Sequence, residues 1–323
     1  MNKNIIILGA GISGLSCGLE LQRAGFRNVR ILAKDFPPNT TSDVAGGLWF
    51  PYKAEPISRI LGWSKRTFQR LLQLREQFPE AGITMTDFYQ FFPKPRTEPA
   101  WWASAVEEYR PLEAGELPEG FHGGYFARVP IAEPHIHLPF LVEKFQAQGG
   151  ILEERIVTDI QELAHENRII VNCTGLGAKQ LLGDMEVFPI RGQIVRVRNN
   201  GIKRSITCET TEEHSEYATY TIARSEDVIL GGVAMTNNWE TNVDVELVDG
   251  IIERCSELEP TLKSAEILGH KAGLRPGRTT VRLEMEQISP SCVVIHNYGH
   301  GGSGYTVNWG CAEEVCSLVK VFI

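Results

Sequence analysis

Three glycines near the start of the chain stand where a phosphate could rest. In NIIILGAGISGLSCGLELQRAG an apolar run of strand type ends in Gly9, Gly11 and Gly14, then continues through Leu15, Leu19 and Leu21 at helical spacing. A second apolar run, NVRILAKD, closes on Asp35, 21 residues after Gly14. Each position has a chemical reason. Gly9 allows a tight turn, Gly11 lets a pyrophosphate approach the backbone, and Gly14 lets the helix pack closely. The helix N-terminus favours negative charge, and an acid at the end of the second strand can bind a ribose hydroxyl. The segment therefore reads as a βαβ unit that binds a dinucleotide. Lys34 beside Asp35 admits two readings, a partner for a 2′-phosphate as in NADP or a solvated surface charge.

A second glycine-rich loop lies at the far end of the chain. HNYGHGGSGYTVNWG, residues 296–310, places four glycines between His296 and Gly304 and then turns into helix from about Tyr305 to Val321. Such a loop offers bare backbone N–H groups and the positive end of a helix. It suits the other end of the same dinucleotide; the alternative is a loop packed tightly on a sheet. No His/Asp pair or pair of carboxylates stands out as an acid–base constellation.

The elements that must position these loops can be read more coarsely. Helical spacing covers Ser64 to Phe78, PKPRTEPAWW reads as a loop, and LPFLVEKFQAQGG reads as a helix. RIIVNCTGLG is an apolar strand entering a glycine turn, so the chain returns there to its first domain. From Val187 to about Trp239 strands dominate: VFPIRGQIVRVRNNG alternates, and YATYTIARSEDVILGGV reads as a hairpin around Arg224 to Asp227. A helix follows at Leu247 to Glu257, then further strands. The expected fold class is α/β: a Rossmann-like domain of residues 1–52, 150–186 and 270–323, interleaved with a β-rich domain of residues 53–149 and 187–269.

Composition excludes several partners. A chain of 323 residues with 42% hydrophobic and 22% charged residues is long enough for two domains. Its net charge of −8 offers no basic footprint for nucleic acid or an anionic membrane. No apolar run reaches the roughly 18 residues of a membrane span, and the first residues lack signal-peptide character. A cytoplasmic location is the expectation by default. The seven cysteines are scattered without a C-x-x-C pair or zinc-ligand spacing, so they read as small buried hydrophobes and no metal site is expected.

The ordered set GAGISGLS, TSDVAGGLWFPY, VNCTGLGA, RGQ, GLRPGR, VRLE and HNYGHGGSGYTVNWGCA resembles the D-amino-acid oxidase family over nearly the whole chain. That resemblance implies FAD as cofactor, with an FAD-binding domain and an interleaved substrate domain. It places the cofactor against Gly9, Ala10, Gly11, Ile12, Ser13 and Gly14, against Lys34 and Asp35, and against Thr40, Thr41 and Ser42. It adds Gly46, Gly47, Leu48, Trp49 and Val157, and in the last loop Gly301, Gly302, Ser303, Gly304, Tyr305 and Thr306.

The same resemblance implies that Arg275 in GLRPGR grips the substrate carboxylate bidentately. Tyr220, ten residues before Leu230 of LGG, would bind that carboxylate too, and the carbonyl of Gly302 would accept from the ammonium. Hydride would pass from Cα to flavin N5, the imino acid would hydrolyse to a 2-oxo acid and ammonia, and dioxygen would be reduced to hydrogen peroxide. Catalysis is then mostly placement and electrostatics. Arg278 and Arg282 are expected to be structural, and His296 and His300 to pack and hydrogen-bond. The partners implied are a D-amino acid and dioxygen. Members of the family are often dimers, so a homodimer is the assembly to test.

The chain departs from the animal members in three places. The position of their lid tyrosine falls on Glu216, with Tyr217 adjacent. Phe50 follows the tryptophan of GLW where they have glutamine. Ala234 stands where D-aspartate oxidases usually place arginine. These departures favour neutral or bulky D-amino acids, while Glu216, if it faced the pocket, would invite basic ones. The alternatives are a flavin oxidase of glycine, N-methylated amines or D-aspartate, an NAD(P)-dependent dehydrogenase sharing only the first fingerprint, and a flavin-binding protein without catalysis.

Overall fold

The computed structural model describes residues 4–164, 168–209 and 216–322. Two sheets organise them. The first has six strands in the order Arg282–Ser289, Cys292–Tyr298, Ile169–Asn172, Asn4–Leu8, Asn28–Ala33, Ile151–Glu154. All neighbours are parallel except the edge pair Arg282–Ser289 with Cys292–Tyr298. Four of the five residues in Asn4–Leu8 are buried, as a strand covered on both faces must be. On one face Ile5 and Ile7 join the large core with the helices Ile12–Arg23, Pro134–Ala147 and Gly304–Phe322. On the other, Ile6 and Leu8 meet Ile160, Leu163 and Val294.

The second sheet has nine strands and is mainly antiparallel; Ile83–Phe92 with Arg204–Cys208 is its parallel pair. The helix Glu246–Leu258 covers one face, where Val248, Ile251 and Cys255 pack on Val195, Val197, Val228 and Leu230. The opposite face turns toward the first sheet. This explains a difference from the sequence reading: Phe188–Arg198 reads as alternating, yet nearly every residue is buried because both faces are covered.

Other elements differ at their limits. The helix read from Ser64 spans Ile57–Gln77, since Ile60 and Trp63 are also drawn into the core. The helix read from Leu138 begins at Pro134, where proline is tolerated in the first turn, and continues through Pro139. The hairpin is as read: Tyr217–Ala223 and Asp227–Val233 pair, and the Arg224 N–H donates to the Asp227 carbonyl at 2.9 Å. The boundary placed at 270 falls inside the strand Ile267–Gly277, which pairs with Phe188–Arg198 from end to end. Residues 270–277 therefore lie in the second sheet by their hydrogen-bond pairing. Among the described residues no helix is long and apolar enough to cross a membrane.

Candidate active site

A cavity of about 1680 Å³ runs between the two sheets. Its first end is the loop after Asn4–Leu8. Gly9 adopts φ +100, and a Cβ on Gly14 would fall 1.9 Å from the Gly9 carbonyl oxygen, so the turn closes directly on the helix behind it. Gly11, Ile12 and Ser13 open the helix onto the cavity. The N–H groups of its first turn lack intrahelical acceptors; that of Ile12 donates to Ser42 Oγ at 3.0 Å. Lys34 and Asp35, at the end of the second strand, sit 3.8 Å apart on the cavity wall.

The last helix opens onto the same cavity through Gly301, Gly302, Gly304 and Tyr305. Two positive helix ends thus face one cavity, and Asp35 lies on its wall. Ala10, Thr40, Thr41, Gly46, Gly47, Leu48 and Val157 also line it. This donor set fits FAD, whose pyrophosphate would meet the helix Ile12–Arg23 and whose flavin would meet the loop before Gly304.

Four expected cofactor residues are not on the wall. Gly14 packs behind the turn. Trp49 is buried, donating its indole N–H to the Ser64 carbonyl at 3.0 Å and packing edge-on against Phe68 and Trp102. Ser303 and Thr306 turn their hydroxyls to the segment Phe50–Tyr52: each accepts from a backbone N–H there, at 2.7 and 3.1 Å, and donates to a carbonyl at 2.9 Å. They fasten this segment to the last helix.

The floor beyond the first loop belongs to the second sheet. Arg275, on Ile267–Gly277, lays its guanidinium over the bare backbone of Gly192, where a Cβ would meet Nη1 at 2.5 Å. Its Nη1 donates to the Val233 carbonyl at 3.2 Å, and its Nη2 lies 3.5 Å from the Tyr220 hydroxyl. Tyr220 in turn lies over Gly231. The glycines of RGQ and LGG are thus the clearings that admit these two side chains. Gly302 faces the same space, against the ring of Tyr52.

Two groups beside Arg275 carry signals that sequence reading passed over. Burial pushes the Tyr52 phenol up, with Arg275 pulling the other way. Burial and then the Arg275 charge hold the Lys53 ammonium below its ordinary value. Lys53 also adopts φ 50, uncommon for a residue with a side chain. Tyr52 stands in the quoted GLWFPY and could have been nominated from that motif; a positive φ at Lys53 leaves no trace in sequence.

The departures resolve individually. Glu216 is exposed and off the cavity wall, where its carbonyl accepts from the Ala234 N–H at 2.7 Å; the adjacent Tyr217 lines the cavity. Ala234 is buried and not on the wall, so its small size makes no room there. Phe50 lines the cavity and packs on Phe88 and Trp102, with centroids 5.1 and 5.8 Å apart. Arg278 pairs with Asp184 at 3.0 Å, and Arg282 donates to the Tyr298 hydroxyl at 3.0 Å, both supporting the strands behind the site. His300 is buried against Asn297, and burial pushes it down to about 4, so it is neutral. All seven cysteines are free thiols, five of them buried.

Fold and site together define a dinucleotide-binding protein with a guanidinium on the floor of its cavity. The profile of the family described as FAD dependent oxidoreductase matches residues 4–318. The D-amino-acid oxidase of Rubrobacter xylanophilus is 41% identical over 313 residues, 97% of this chain and 94% of that protein. The D-amino-acid oxidase of Dictyostelium discoideum is 35% identical over 98% of this chain and 91% of that protein. The glycine oxidase of Geobacillus kaustophilus has a similar fold, with TM-score 0.81 over 99% of this chain and 95% of that one at 19% identity. The chain belongs to the FAD-dependent oxidoreductase family and, within it, to the D-amino-acid oxidases, and FAD is its cofactor.

Proposed function

We propose that this chain catalyses oxidative deamination of D-amino acids to 2-oxo acids, ammonia and hydrogen peroxide. The observation that carries the reading is the pair Arg275 and Tyr220, set 3.5 Å apart on the cavity floor beside Gly302. A planar guanidinium and a phenol at that separation suit the two oxygens of one carboxylate. The Gly302 carbonyl would accept from the substrate amine and so fix which face of Cα is presented. FAD, when bound, supplies the two-electron acceptor and its reoxidation by dioxygen. The chain's own residues bind and orient the substrate, and the aromatic wall of Phe50 and Trp102 keeps water from the reacting carbon.

Neutral side chains are the proposed preference, supported by that aromatic wall. Anaerobic addition of D-alanine, D-phenylalanine, D-aspartate and their L-forms to the purified flavoprotein tests both levels. Bleaching of the flavin absorbance by D-forms alone, with peroxide on admitting air, is the expected result. Bleaching by glycine or sarcosine in preference would favour the nearest alternative, and comparable turnover of D-aspartate and D-phenylalanine would end the neutral preference. Assembly as a homodimer and a cytoplasmic location are further proposals, tested by sedimentation and cell fractionation.

A further inference from the structure

We propose that Gln90 and Thr207 form a subsite for the substrate side chain, selecting D-amino acids that carry an uncharged hydrogen-bonding group such as a carboxamide. This rests on the deamination reading above. The argument begins with register. Tyr125 pairs with Gln90, Gln90 with Thr207 across the parallel pair, and Thr207 with Tyr220. Residues opposite one another on adjacent strands share a face. All four line the cavity, so the sheet presents them to it as one row.

The row starts at the residue beside Arg275. Strands lie about 4.8 Å apart, which sets Thr207 roughly 5 Å and Gln90 roughly 10 Å from Tyr220 along the floor. A substrate held by its carboxylate at Arg275 and Tyr220 could therefore reach the row only with a side chain of a few atoms, and bond to it only where that side chain ends in a polar group. Asparagine and glutamine have that length and ending.

Polar satisfaction points the same way. At the far end of the row the Tyr125 hydroxyl is engaged by the Glu98 carbonyl at 3.2 Å. The Gln90 amide and the Thr207 hydroxyl are half-buried and have no protein hydrogen-bond partner among the described residues. Each can both donate and accept, which is the complement of a carboxamide. An apolar side chain packed against them would leave both unsatisfied, a cost that discriminates strongly. A carboxylate would only accept, and the row itself contains no cation. Arg96 at the cavity rim is already held by Glu209 at 2.6 Å.

The test compares kcat/KM for D-glutamine, D-methionine and D-glutamate in the flavin-loaded wild type and in Gln90→Leu and Thr207→Val, with bound-flavin absorbance and circular dichroism as the check on folding. The wild type is expected to prefer D-glutamine to D-glutamate by roughly tenfold or more, as burying an unpaired charge demands. Loss of one hydrogen-bonding partner should lower D-glutamine turnover about tenfold in Gln90→Leu and about threefold in Thr207→Val. D-methionine turnover should not fall in either variant and should rise, since removing the polar group relieves the cost of leaving it unsatisfied. Equal losses on D-glutamine and D-methionine, or no loss on either, would overturn the subsite while D-methionine turnover upheld the deamination reading. Failure of the wild type to oxidise all three would overturn the deamination reading itself.

Discussion

The ring of Tyr220 lies over the backbone of Gly231 on the neighbouring strand, where a Cβ would fall 1.9 Å from the phenol Cζ. The hydroxyl reaches Arg275 only because that clearing exists. Gly231→Ala should push the ring off the floor, at a packing cost of about 1–3 kcal/mol, while the chain keeps its flavin. The expected reading is a KM for D-amino acids raised about tenfold, the scale of one lost hydrogen bond. An unchanged KM in the folded variant would remove Tyr220 from substrate binding.

Arg275→Lys retains the charge but not the two-pronged geometry. A point charge cannot lie over Gly192 and also meet two carboxylate oxygens in the way a guanidinium can. Loss of charge-assisted bonds should lower kcat/KM by roughly a hundredfold or more, with flavin content unchanged. Activity near that of the wild type would mean that the carboxylate is held elsewhere.

Glu216→Gln should leave kcat/KM for D-lysine and D-alanine within about twofold of wild type, as surface changes away from a site do. The carboxylate is off the cavity wall, and what Glu216 contributes to the sheet is its backbone carbonyl to Ala234. A selective fall with D-lysine would show that the side chain reaches the substrate in solution.

Stability should fall with acid before the carboxylates titrate. His137 and His300 are both pushed down to about 4 by burial, against an ordinary value of 6.5. The unfolded chain therefore takes up protons that the folded chain refuses. Stability is full above about pH 6.5 and is lost as pH falls toward 4, by up to about 3 kcal/mol for each histidine. Thermal unfolding followed between pH 7.5 and 4.5 should show Tm dropping steadily below 6.5; a flat profile would contradict the burial of these rings.

Local signals made some elements legible. Gly9, Gly11, Gly14 and Asp35 sit on one βαβ unit because that unit is contiguous in sequence and its spacing follows from strand, turn and helix geometry. The hairpin at Arg224 to Asp227 and the helix Glu246–Leu258 were readable for the same reason. The pairing of the strand Ile267–Gly277 with Phe188–Arg198 was not legible, since the two lie some eighty residues apart. Trp49, Ser303 and Thr306 share motifs with true wall residues, yet the Trp49 indole turns inward to Ser64 while Ser303 and Thr306 fasten Phe50–Tyr52, and motif membership carries no direction.

The sequence by itself determined the dinucleotide fingerprint, the second glycine loop and the ordered motifs that carry the family, because these are contiguous runs with fixed backbone requirements. Only the tertiary structure decided that Arg275 and Tyr220 meet over Gly192 and Gly231, and that Gln90 and Thr207 continue the same row. Those neighbours come from six strands spread between Ile83 and Gly277, and cross-strand register, set by burial on both faces of the sheet, brings them together.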